Sequence, residues 1–159
     1  MILGLTVAAA AFVLDQLSKW YVADFFLKNI PSVAFGKYFS ITEAWNTGVS
    51  FSMFNEGGIW GTVLLSVFAL IVVFFLLSWL KNEPNRLIQA SLGLIIGGAL
   101  GNVCDRVRFG AVYDFLDFHY NSWSWPVFNL ADSFICIGAF LIIAHSLLSK
   151  KQSLKEAVK

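Results

Sequence analysis

Phe128–Phe134 reads FNLADSF, and the residues that follow, ICIGAFLIIAHSLL, stay apolar to Leu148. An amide and a carboxylate thus sit one helical turn inside a segment long enough to cross a bilayer. Each helical residue rises ~1.5 Å and the hydrocarbon core is ~30 Å thick, so about 20 apolar residues suffice. Composition supports a membrane setting. The chain of 159 residues is 58% hydrophobic and 13% charged, with a mean hydropathy of +0.72. Soluble domains carry roughly 25% charge, and a surface this apolar would not stay in water.

Three more segments meet the same length criterion. The sequence predicts spans over about residues 1–21, 59–80, 87–107 and 126–148. The second contains no charge. Pro126 suits the first turn of the fourth, where its missing N–H is no loss. Ala8-Ala9-Ala10 resembles a signal-peptide cleavage site, but no basic stretch precedes it, so the first segment reads as a retained helix. The fold class is therefore mainly α and membrane-embedded: a four-helix bundle forming one domain over 1–159.

The connections are unequal. Spans two and three are joined only by KNEPNR, Lys81–Arg86. An outer segment, 22–58, joins spans one and two, and Arg108–Trp125 join spans three and four. Four spans put both termini and the short loop on one side. That side carries Lys81, Arg86 and a basic tail, 149–159, with Lys150, Lys151, Lys155 and Lys159. The positive-inside rule makes it cytoplasmic. Within the outer segment, Ser32–Trp45 is rich in β-branched and aromatic residues, as strands are. Ser50–Gly58 reads as a short amphipathic stretch. Trp45, Phe51, Phe54, Trp60, Trp123 and Trp125 fit an interfacial aromatic belt.

Charged residues inside a membrane are costly and are functional candidates by default. Here they gather at one end. Asp15 and Lys19 close span one, and their i,i+4 spacing, acid first, favours an ion pair. Asn102, Asp105 and Arg106 close span three, where Asp105 and Arg106 read as an interface ion pair. Asn46, Asp114 and Asp117 lie in the outer connections. Asn129 and Asp132, three apart, share a helix face. Counted from Pro126, Asp132 would lie roughly 9 Å along its helix. Gly97-x-x-x-Gly101 predicts close helix packing.

These residues exclude several chemistries. A net charge of +1 gives no case for nucleic acid. There is no H-E-x-x-H helix and no G-x-S-x-G elbow. His119 and His145 stand apart, and Cys104 and Cys136 read as buried thiols without metal spacing, so neither metal nor cofactor is expected. Aspartate remains. Two aspartates facing one water can share a proton, one as acid and one as base. At ~4 Å and an effective dielectric near 20 their repulsion is about 4 kcal/mol, roughly 3 pK units, so the pair would titrate as a unit. Spacing leaves the partner of Asp132 open among Asp105, Asp114 and Asp117. A proton- or ion-coupled transporter subunit is the main alternative, and would need a polar path to the inner side. A non-catalytic assembly subunit is another.

The chain resembles the lipoprotein signal peptidase (signal peptidase II) family of bacterial aspartic membrane peptidases. The resemblance rests on DQLSK (Asp15–Lys19), NTGVSFS (Asn46–Ser52), GGALGNVCDR (Gly97–Arg106), VYDF (Val112–Phe115) and FNLADS (Phe128–Ser133), in this order over nearly the whole chain. It implies an endopeptidase that cuts prolipoproteins on the N-terminal side of a diacylglyceryl-modified cysteine, without a cofactor. By motif position the catalytic aspartates would be Asp114 and Asp132. Asp15, Lys19, Asn46, Gly48, Asn102, Asp105, Arg106 and Asn129 would support the site and the substrate backbone. The resemblance further implies a small extracytoplasmic β-cradle and a short helix over the site. The expected setting is the bacterial cytoplasmic membrane: a monomer contacting lipids, both termini cytoplasmic, the site near the outer face. Tyr113, where the family often has valine, and Val49-Ser50, after Gly48, depart from the pattern.

Overall fold

The computed structural model describes residues 1–48, 58–121 and 123–157. Four helices and four short strands follow in the order α1 (Ile2–Tyr21), β1 (Ser32–Ala34), β2 (Phe39–Asn46), α2 (Gly58–Asn82), α3 (Arg86–Phe109), β3 (Val112–Tyr120), β4 (Trp123–Ser124) and α4 (Leu130–Ala157). All four helices are long and apolar enough to cross a membrane. The short amphipathic stretch expected at Ser50–Gly58 lies almost entirely outside the described residues, as do Phe51, Phe54 and the Val49-Ser50 departure.

The bundle is built around α3. In its most apolar window 56% of the residues are buried, against 17% in α2 and 11% in α4. Gly93 and Gly97 let α1 approach so closely that a methyl group on either would run into the carbonyls of Gly4 and Ala8. Gly98, on another face, meets the Ala131 carbonyl of α4 in the same way. This is how small residues bring membrane helices together where no hydrophobic effect drives them. Away from the strands the core is apolar, formed by Ala8, Val73, Leu80, Ile88, Leu92, Ile96 and Ala99. Phe68, Phe74, Phe140 and Ile143 point outward, exposed as lipid-facing residues are. Cys136 is also exposed on this surface, so it is not the buried thiol the sequence suggested. One face of a spanning helix must meet lipid, and a thiol is apolar enough to do so.

The N-terminal amine donates to Gln89 Oε1 at 3.0 Å, which places Met1 at the same end as the Glu83–Asn85 connection. Asn85 starts α3 by accepting from the Leu87 and Ile88 amides through its side chain. Gly110 ends it in the left-handed region at φ 75°, and β3 begins two residues later.

At the other end the strands form one antiparallel sheet in the order β1-β2-β3-β4. Val33 pairs with Ile41, Ile41 with Leu116, and Ala44 with Asp114. The β2–β3 register shifts by one residue between Ile41 and Ala44. Phe128 bridges Leu116 through hydrogen bonds of 2.8 and 3.1 Å, so the segment entering α4 is tied to β3. Val22, Leu27, Tyr113 and Phe115 pack beneath the sheet.

Three boundaries differ from the sequence reading. Val22–Phe26, placed in the outer segment, continue the first helix as a π-helical turn, because those apolar residues pack under the sheet. The Arg108–Trp125 connection holds β3 and β4, so the sheet draws on both outer segments. And α4 starts at Leu130, not at Pro126, because Asn129 supplies a better start signal than a proline alone. The helix then runs on through the expected basic tail to Ala157.

Candidate active site

The local chemistry of α4 fixes Asp132. Asn129 Oδ1 accepts from the Asp132 amide at 3.0 Å, and Asp132 Oδ2 accepts from the Asn129 amide at 3.3 Å. This reciprocal arrangement is a capping box, with the acid at the third helical position. Asp132 is therefore in the first turn and half-buried, rather than roughly 9 Å along the helix. A further free amide of that turn, Ala131 N–H, donates to Asp15 Oδ1 at 2.9 Å, so a carboxylate of α1 helps to cap α4.

Two sets of aspartates occupy this end of the bundle. In the first, the Lys19 ammonium lies 2.9 Å from Asp15, 2.7 Å from Asp105 and 3.2 Å from Asn102 Oδ1. Its three donors thus have three acceptors. The expected Asp15–Lys19 pair is present. The expected Asp105–Arg106 pair is absent among the described residues, because successive helical residues do not face each other. Asp105 instead turns to Lys19, and its other oxygen accepts from Gln16 Nε2 at 2.8 Å. Asp105 Oδ2 also accepts from the Tyr113 amide at 3.3 Å, which holds β3 against α3. Gln16 was not singled out from the sequence. Its only signal was its place between Asp15 and Lys19 in the motif.

In the second set, Asp114 accepts from Asn129 Nδ2 at 2.6 Å and from Asn46 Nδ2 at 3.0 Å. Asp132 accepts from Asn102 Nδ2 at 2.8 Å. Asn129 Nδ2 also reaches Asn102 Oδ1 at 3.1 Å, which closes a chain Asp114–Asn129–Asn102–Asp132. Each amide's orientation is fixed by a neighbour that can only donate. Lys19 holds Asn102 Oδ1, the Asp132 amide holds Asn129 Oδ1, and the Gly48 amide holds Asn46 Oδ1 at 2.8 Å. Gly48 makes that turn with φ 82°, where a side chain would be strained. Arg106 extends its charge toward Asp132, Asp114 and Asp105, and its Nε is buried with no hydrogen-bond partner among the described residues.

Of the three candidates for the partner of Asp132, Asp105 is occupied by Lys19. Asp117 lies in the sheet beside Thr42 and His119. Asp114 alone shares amides with Asp132. Burial, with the nearby Asp132 charge as a smaller contribution, pushes the Asp114 carboxyl up to about 6. Such an arrangement can hold one proton between two carboxyls near neutral pH. Among the described residues no group of three or more His, Cys, Asp or Glu is placed to hold a metal ion.

Comparison with known proteins identifies the family. The family model described as signal peptidase (SPase) II matches residues 7–148. A lipoprotein signal peptidase of Coxiella burnetii (strain RSA 331 / Henzerling II) is 44% identical, over 86% of this chain and 84% of its own length. One from Pseudoalteromonas atlantica (strain T6c / ATCC BAA-1087) is 39% identical, over 92% and 90%. Two bacterial membrane enzymes solved by the in meso method share the fold. One has a TM-score of 0.78 at 26% identity, covering 94% of this chain and 90% of that one. The other has a TM-score of 0.77 at 28% identity, covering 91% and 92%. With the match running from the first helix to the end of the fourth span, the chain belongs to the signal peptidase II family of aspartic peptidases.

Proposed function

We propose that the protein removes the signal peptide of diacylglyceryl-modified prolipoproteins, cutting before the lipidated cysteine, with Asp114 and Asp132 as the catalytic pair. One observation carries the reading: a single side chain, Asn129, hydrogen-bonds Asp114 while capping the helix turn that holds Asp132. The two carboxyls are thereby fixed relative to each other by neutral donors, which hold an oxygen in place without neutralising it.

The mechanism follows from the environments. Asp114, the more buried, keeps the shared proton. Ionised Asp132 takes a proton from a water held between the pair, and the hydroxide formed adds to the scissile carbonyl. Asp114 gives its proton to the carbonyl oxygen. Collapse of the tetrahedral intermediate expels the amine, which takes the proton now on Asp132, while a hydroxyl of the intermediate returns a proton to Asp114, so the carboxyl product leaves and the pair regains its single proton. Asn46, Asn102 and Asn129 hold the carboxyl oxygens, Gly48 holds Asn46, and Arg106 offsets the negative charge. Asp15, Lys19 and Asp105 set the frame.

The same reading places the protein in the bacterial cytoplasmic membrane as one monomeric domain in contact with lipid. The basic Lys81–Arg86 loop and both termini face the cytoplasm, and the site opens toward the outer face, where a substrate helix could enter from the bilayer. Nothing favours a transporter, since the core beyond the site is apolar. The test uses purified protein and a lipidated precursor. Wild type releases a signal peptide unaided, while Asp114→Asn and Asp132→Asn each lose about 10²–10⁴-fold in rate with the protein still folded and inserted. Turnover near the wild-type rate by either variant rejects the pair.

A further inference from the structure

Successive residues of a strand face opposite sides. Asp114 turns toward α4, so Tyr113 turns away, toward α1. There it borders a second cavity, of about 270 Å³, bounded also by Gln16, Trp20, Asp24, Trp45 and Arg108. Lys19 and Asp105 line its inner wall, and the Tyr113 backbone bonds Asp105 and Asn129. The side chains of Trp20, Asp24, Trp45 and Arg108 make no hydrogen bond to Asp114, Asp132 or their amides among the described residues, and the cavity has features of a built site. The Tyr113 side chain is only 3% exposed, yet its hydroxyl has no hydrogen-bond partner among the described residues. Burying such a group is costly unless something in the cavity bonds it. Burial, with smaller contributions from the Glu43 and Asp24 carboxylates, pushes the Tyr113 hydroxyl up to about 12. This corner therefore offers negative charge and a hydroxyl oxygen.

Across the cavity Arg108 offers the opposite. Its only contacts among the described residues are a long hydrogen bond of 3.4 Å to Gln16 Oε1 and the ring of Phe109, 4.7 Å away. Arg108 also tops an apolar groove of about 660 Å³ that runs along α1 and α3 past Val107, Leu100, Ile96 and Leu5. Arg108 and Ile96 are twelve residues apart on α3, so the groove is about 18 Å long. Trp20 and Phe109 are half exposed beside the cavity, as aromatic residues at a membrane interface are.

We propose that the cavity and groove together bind one zwitterionic phospholipid with a primary-amine headgroup: phosphate on Arg108, ammonium on Asp24 and the Tyr113 hydroxyl, one acyl chain in the groove. Guanidinium suits phosphate through paired N–H donors. An ammonium suits a carboxylate beside a hydroxyl that can accept, whereas a quaternary amine has no hydrogen to give. A headgroup that ends in glycerol would bring no cation to Asp24. The bound lipid would also brace β3 from the side opposite Asp114. The proposal needs only that the bundle sits in a bilayer, so its failure is separable from failure of the cleavage assay.

The experiment incorporates full-length protein into vesicles of phosphatidylethanolamine, phosphatidylcholine and phosphatidylglycerol in equal parts with identical acyl chains. Lipid retained on the released protein is then read by native mass spectrometry. The expected result is enrichment of phosphatidylethanolamine over both others by about tenfold, one charge-assisted hydrogen bond's worth. Arg108→Gln, which removes the contact to the phosphate common to all three lipids, should lower the total lipid retained, Asp24→Asn should abolish the enrichment, and Tyr113→Phe, which keeps the strand's backbone contacts, should reduce it. Cleavage of the lipidated precursor by each variant verifies folding. Retention that mirrors the bulk mixture, enrichment of phosphatidylglycerol, or enrichment unaltered in both Asp24→Asn and Tyr113→Phe would each overturn the proposal.

Discussion

The two groups of aspartates at the sheet end of the bundle differ in what donates to them. Asp15 and Asp105 share an ammonium and are closed in by it. Asp114 and Asp132 are held by the amides of Asn46, Asn102 and Asn129. A cation offsets the charge of a buried carboxylate and ties it into the frame. A neutral amide positions the carboxylate and leaves its proton chemistry intact. The first group is also the scaffold of the second: Asp15 caps the helix that carries Asp132, and Asp105 holds the strand that carries Asp114 through the Tyr113 amide. On the proposed function, structural and reactive acids are thus separated by their donors.

The difference makes stability and activity respond in opposite ways. The largest effect is expected for Lys19→Met, which strands two buried carboxylates. Thermal or denaturant unfolding in detergent should show a loss of about 3–5 kcal/mol. Adding Asp15→Asn and Asp105→Asn should recover part of it, and no recovery would break the comparison. Next, Asn129→Ala should cost roughly 10–100-fold in kcat with a small change in KM, because Asn129 sets geometry without holding substrate. A change confined to KM would move Asn129 to substrate binding.

The third expectation concerns pH. A carboxyl raised to about 6 in the folded protein, from 3.8, binds its proton more tightly folded than unfolded. The stability this adds is complete below about pH 4 and is lost as the pH rises through about 6. Replacing Asp114 with Asn should therefore stabilise the protein above pH 6, by about 1–3 kcal/mol, with the gain fading toward pH 4. Unfolding measured across this range checks the sign, and a gain that is largest at low pH would contradict the assignment. The smallest effect is expected for Asp117→Asn. Asp117 lies at the sheet surface beside Thr42 and Ser124, so cleavage should change by less than about twofold, as substitutions outside a site usually do.

Much of this was legible in the sequence. The four spans follow from uninterrupted apolar length. The gathering of polar residues at one end follows from chain order once the spans are known. The Asp15–Lys19 pair follows from i,i+4 spacing, and the close packing at Gly97 from the small residues there. The rest was hidden for identifiable reasons. Helix periodicity cannot say which neighbour a long side chain selects, so Asp105 was matched with Arg106 when Lys19 was the better-placed cation. Asn129 was read as a face-mate of Asp132 rather than its cap, because proline three residues earlier offered a competing start. The strand Val112–Tyr120 resembled loop because Asp114, Asp117 and His119 interrupt it, and its pairing partner lies 66 or more residues earlier in the chain.

The register shift between β2 and β3 carries more weight than its size suggests. As built, Ala44 lies opposite Asp114 and Asn46 opposite Val112, which puts the Asn46 amide on the same side of the sheet as Asp114. If the pairing of Ile41 with Leu116 continued unbroken, Glu43 would face Asp114 and Asn46 would project from the reverse surface. A single supernumerary residue in a short ribbon therefore determines whether the acid of β3 meets a carboxamide or another anion. Ironing out the bulge with that residue retained would exchange an orienting contact for a repulsive one, whereas deleting one residue between Ile41 and Ala44 would keep Ala44 opposite Asp114 and spare the contact.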